Sequence, residues 1–220
     1  MGEPRRTLLL LGLFALAMAH VEASLVVHLR DLYYPGDPLR LFPLALLSRH
    51  DLVIELVRET ATLVMILSVA LLAARGPGLA FAAFCYVFGL WDLGYYLWLK
   101  LMLGWPVNWL EWDVLFLIPW PWFGPWLAPV LIAVLFVVWC VWAMAIPKPV
   151  RFSVTMAVMF VLGALLALCT LLLPALPLLQ LGEQAFRGYV PESFSWPLYL
   201  AGYLLMAGAL AWIVAQAKKD

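Results

Sequence analysis

Asp51, Glu55, Arg58, Glu59 and Thr62 recur at i, i+4, i+7, i+8 and i+11 within "DLVIELVRETAT", the spacing of one helix face. That face leads directly into the apolar run "LVMILSVALLAA". Ionisable groups in hydrocarbon cost about 2.5–3.5 kcal/mol each on the insertion scale, so such a face must turn towards other helices. Two further apolar segments carry matching groups. Glu22 lies on the first, with His28 and Arg30 following it, and Asp92, Tyr96 and Lys100 form a face on the third, with Tyr95 beside them. At 1.5 Å per residue, Glu22 and Asp92 lie ~16 Å below the outer ends of their segments and Glu59 ~12 Å below its own. Carboxylates thus reach a comparable depth on three helices.

Acids converging from several helices are how cation sites are built inside bundles. The spacing makes Glu22, Glu55, Glu59 and Asp92 candidate metal ligands. Oxygen donors alone suit Mg²⁺, Ca²⁺ or Mn²⁺, and adding His28 admits zinc or iron. A divalent metal ion of unspecified identity is therefore the expected cofactor. Arg58, Tyr95, Tyr96 and Lys100 are the candidates for binding substrate or pairing charge. Arg58 is the only base at that depth, because Arg30 and Lys100 lie near a helix end and are expected to snorkel to water. Four acids facing one base need a proton or a cation among them.

Two other readings use the same residues. Arg58 could bridge the acids and order three helices without any ligand, as in a non-catalytic subunit of a larger membrane complex. A proton or cation transporter could pass charge along the acids, but no polar line continues past Thr62 and Ser68. No HExxH, GxSxG or Walker loop specifies a reaction. Cys85, Cys140 and Cys169 form no CxxC pair, which gives neither a disulfide framework nor a thiolate site.

The elements that must position these groups are membrane spans. The chain of 220 residues is 66% hydrophobic and 12% charged, with mean hydropathy +1.00, far from the ~25% charge of a soluble domain. Its zero formal net charge offers no electrostatic case for nucleic acid. Apolar runs over about 7–33, 51–74, 79–103, 127–146, 150–173 and 196–217 are each long enough to cross a bilayer. They predict one all-α membrane bundle of about six transmembrane helices, in contact with lipid. The basic start and apolar stretch of the first run resemble a signal peptide, but the apolar character continues through "SLVVHL", so a retained span is expected. Helices 4 to 6 carry almost no charge and are expected to be scaffold or to face partner subunits.

Six spans put both termini on one side, with Arg5, Arg6, Arg75, Lys148, Arg151, Lys218 and Lys219. The other side holds Arg30, Arg40, Arg49, Lys100 and Arg187. The bias favours cytoplasmic termini, and the three longer connections, 34–50, 104–126 and 174–195, then face outward. The second of these holds six of the chain's 12 Trp residues, and Trp favours the membrane boundary. "NWLE" has the capping-box pattern. It predicts an interfacial or re-entrant helix over about 109–118, with Trp109, Glu111, Trp112 and Asp113 as a lid over the carboxylates.

Overall fold

The computed structural model describes residues 3–145 and 153–219. The sequence breaks where its punctuation requires. Helix α1 runs Glu3–Tyr33 and α2 runs Arg49–Ala73, starting from Ser48, whose hydroxyl accepts the Asp51 N–H and supplies the helix with an N-cap. Pro77 opens α3, Pro77–Leu103, and Gly104 closes it with φ +76°, a backbone conformation that an L side chain resists. Helices α4 (Leu127–Ala145), α5 (Val154–Leu172), α6 (Leu176–Leu181) and α7 (Trp196–Lys219) follow. Ser153 caps α5 as Ser48 caps α2. The "IPKPVR" break between spans 4 and 5 lies outside the described residues.

Five of these helices are long and apolar enough to cross a membrane, and the apolar stretch Leu127–Ala143 makes a shorter sixth. Large apolar side chains such as Leu13, Val57, Leu72 and Val154 point away from the protein, as a lipid environment allows. The chain is an integral, multi-pass membrane protein. Helix α3 is central, with α1, α2 and α4 against it, and α5 pairs with α7, which reaches the rest through α4.

Leu8 at the start of α1 packs with Ala143, Met156 and Val214, so both chain ends lie at one end of the bundle. The three longer connections meet at the other. Leu44 exchanges backbone hydrogen bonds with Gly188 and Tyr189, both 2.9 Å. Phe42, Trp112, Trp120 and Tyr189 gather around buried Phe123, Ala175 and Leu178. Together they make an aromatic cap.

The interfacial helix expected at 109–118 is instead a β-hairpin. Strand β1, Trp112–Phe116, pairs antiparallel with β2, Trp122–Pro125, with an irregularity between Val114 and Phe116. Glu111 turns backwards, and its Oε2 accepts the N–H groups of Val107 (2.6 Å) and Asn108 (3.2 Å). That closes a turn before the segment rather than capping a helix after it. Beyond it, the β-branched and aromatic "WDVLF" suits a pleated surface, while Pro119, Pro121 and Pro125 lack the N–H that a continuing helix needs. Gly124 faces Asp113 in the register; a Cβ there would stand 2.8 Å from Leu171 Cδ2.

A candidate polar site beneath the cap

The cap-side halves of α1, α2 and α3 enclose the charged groups, and the hairpin closes over them. Arg58 is the hub of the first group. Its Nη1 donates to Glu22 on α1, and its Nε donates to Glu55 Oε2 at 2.8 Å. Glu22 also lies 3.4 Å from the Thr62 hydroxyl, one helical turn below Arg58 on the same face of α2. Arg58 retains 21% side-chain exposure, whereas both acids are buried. The i, i+3/i+4 spacing of Glu55, Arg58 and Thr62 turns all three towards α1.

Glu59, the next residue, takes a different partner. Its carboxylate accepts the N–H of Leu117, 3.0 Å from each oxygen. Leu117 follows the last residue of β1, where the ladder ends and its N–H needs an acceptor. The α2 face is thereby fastened to the cap through one charged hydrogen bond.

The second group lies nearer the cap. Arg30 is buried at 3% side-chain exposure. Its Nη2 is 3.5 Å from Asp113 Oδ1, and its Cζ sits 4.0 Å over the ring of Trp105, a cation–π arrangement in a desolvated place. Asp113 also accepts the Tyr96 hydroxyl (3.1 Å) and the Val114 N–H (3.0 Å). Burial pushes the Asp113 carboxyl up to about 6, with the Arg30 guanidinium, the Tyr96 hydroxyl and the Val114 N–H pulling the other way. Asp92 Oδ2 and Arg30 Nε and Nη1 are buried without a protein hydrogen-bond partner, as are the indole N–H groups of Trp91, Trp105 and Trp122.

The expected ligand set is thus divided. Glu22 and Glu55 meet on Arg58, Glu59 goes to the hairpin, and Asp92 lies apart from them on α3. Among the described residues no group of three or more His, Cys, Asp or Glu side chains is arranged to hold a metal ion. His28 is exposed. It follows Glu22 by six residues, which places it about 120° around the helix from that carboxylate. Lys100 is no charge partner of the acids either. It bends over the C-terminus of α3, donating to the carbonyls of Gly104 (2.9 Å) and Pro106 (2.8 Å), where a cation complements the helix dipole.

Tyr96 enters the site through Asp113, and half-buried Tyr95 packs edge-on against it. Trp109 is 73% exposed and stacks on Trp126, while Trp112 meets Phe194 edge-on. Asp113 is not on a lid surface but inside the site. Arg30, expected to snorkel to water, is buried instead, because Trp105 and Asp113 arrive from the 104–126 connection to cover it. One signal was available. Arg30 follows Glu22 by eight residues, so both lie on one face of α1.

Compared with protein-family models, curated proteins and solved structures, the chain matches none.

Proposed function

We propose that the α1–α3 half is a membrane-embedded cation-accepting site, with the proton as its simplest occupant, and that its charge state is passed to the cap through Glu59. One observation carries this reading. Glu22 and Glu55 share Arg58 and the neighbouring Glu59 is held by the Leu117 N–H, while the guanidinium of Arg30 is committed to Asp113. In a low dielectric that excess of negative charge attracts a cation or a proton. A shared proton or a single monovalent ion suits carboxylates that reach the site in ones and twos. The basic bias of the opposite end favours an extracytoplasmic cap, with partly exposed Arg58 as the point of entry.

A second reading is favoured by the completeness of the pairing. Glu22, Glu55 and Glu59 each have a partner within the chain, so the network can order α1, α2 and the hairpin as one structural unit of a larger complex. Thermal unfolding of the purified protein in lipid nanodiscs separates the two. A cation-accepting site gives a stability that changes with pH or with one added cation, by mass action, and loses that response in Glu55→Gln and Glu59→Gln. A purely structural network gives no response to any added cation, in wild type or in either variant.

A further inference from the structure

We infer that the end of the bundle carrying both termini holds a site for an anionic phospholipid, seated between α1 and α2. The inference is independent of the polar site. At their outer halves α1 and α2 are drawn together by the Glu22–Arg58 pair. Towards the other end each helix turns its small or branched residues, Leu11 and Ala15 on α1 and Ile66 and Ala70 on α2, onto a common core with α3. The two helices then leave a groove between them. It has a volume of about 400 Å³ and is lined by Thr7, Leu10, Leu11 and Phe14 from α1 and Val69, Leu72 and Ala73 from α2. All but one of these side chains are apolar, and the groove lies within two spans. The surrounding medium at that depth is acyl chain.

The mouth of the groove is basic. Arg5 and Arg6 precede Thr7, and Arg75 stands two residues beyond Ala73, all three exposed. Helices α1 and α2 are antiparallel, so these arginines converge at one level from two chain segments. Guanidinium groups bind phosphate oxygens in bidentate fashion. Basic residues between helix ends, above a hydrocarbon slot, match a lipid with an anionic head and an apolar tail. A soluble phosphate would use only the mouth, and a zwitterionic lipid only the slot.

Native mass spectrometry of the full chain released from detergent, titrated with phosphatidylglycerol or phosphatidylcholine of equal chain length, tests this. Phosphatidylglycerol is expected to bind at least about tenfold more tightly, since each basic residue near an anionic head group contributes on the order of fivefold. The Arg5→Gln/Arg6→Gln/Arg75→Gln variant should lose that preference while binding phosphatidylcholine as before. Ala73→Phe, which fills the groove, should weaken both lipids, and inorganic phosphate should displace neither. Equal affinity for the two lipids would overturn the inference, as would a preference that survives loss of the three arginines. Displacement by inorganic phosphate would overturn it in favour of a free-anion site.

Discussion

The two halves of this protein hold helices together by opposite means. Helices α5 and α7 meet at Gly163 and Gly202, where a Cβ on either glycine would stand 2.6 Å from the other's carbonyl oxygen. Lipid offers apolar helices no hydrophobic reason to associate, so close backbone approach supplies the van der Waals contact. The hydroxyls in this half go to backbone carbonyls, Thr170 to Ala167 O of its own helix at 2.6 Å and Tyr199 to Ala128 O of α4. In the other half α1 and α2 share little contact, and what joins their cap-side ends is polar, the guanidinium of Arg58 on Glu22 and the Tyr33 hydroxyl on Asp51. The first device carries no charge. The second carries charge that must be balanced, and it is the one placed beneath a cap of irregular chain. Polar groups are costly at this depth, and the α5–α7 half, packed through its glycines, avoids that cost.

Removing either device should test this contrast, and the ionic one should cost more. Arg58→Met leaves Glu22 and Glu55 buried without their cation and is expected to destabilise the protein by about 3–5 kcal/mol. Adding Glu22→Gln should recover a substantial part, because the two changes share one interaction. Denaturant unfolding in mixed micelles measures both. In the apolar half Gly202→Val must push α5 from α7, with an expected loss of about 1–3 kcal/mol and no recovery from any charge change. If Gly202→Val proved harmless, the close helix approach would not be what holds this half.

Smaller effects concern the cap. Asp113 holds its proton to about pH 6, whereas an unfolded aspartate releases it near pH ~4. A carboxyl whose folded value is raised favours the folded state only while protonated. Its contribution is therefore present below about pH 4, is lost as the pH rises to about 6, and is constant above that. Asp113→Asn should remove this part of the pH dependence of stability. Arg30→Met should move the Asp113 midpoint further up, since the guanidinium is the strongest opposing influence; carbon NMR of labelled aspartate reads the midpoint directly. The smallest effect expected is that of Lys100→Met, which loses two hydrogen bonds to carbonyls at an exposed helix end. A few tenths to about 1 kcal/mol is the scale of such a contact.

The spans were legible because their signals are local. Ser48, Gly76–Pro77, Gly104 and Ser153 punctuate the chain, and each marks a helix end in the structure. The face of α2 was legible for the same reason, and Glu55, Glu59 and Thr62 are buried as their spacing requires. The hairpin was not. "NWLE" reads equally as a helix start or a turn, and the choice depends on what the following residues meet. Here Asp113 meets Arg30 and Leu117 meets Glu59, partners 83 and 58 residues away. The same distance hid the burial of Arg30, whose cover is supplied by a connection beyond α3. The separation of Asp92 from the other acids is likewise a matter of how α3 is rotated, which depth along a helix does not fix.

The central claim is that Glu59 couples the charge of the α2 face to the cap, and the Leu117 amide reports it most directly. Hydrogen exchange at that amide should be followed in nanodiscs across acidic and neutral pH, corrected for intrinsic exchange, in an Asp113→Asn background that removes the other titrating group of the hairpin. Protection of Leu117 is expected to fall as the pH is lowered, because a protonated Glu59 is a weaker acceptor, and in Glu59→Gln it should be low and independent of pH. Protection that stays the same at every pH, or that follows pH equally in Glu59→Gln, would contradict the coupling and leave the network a structural fastening alone.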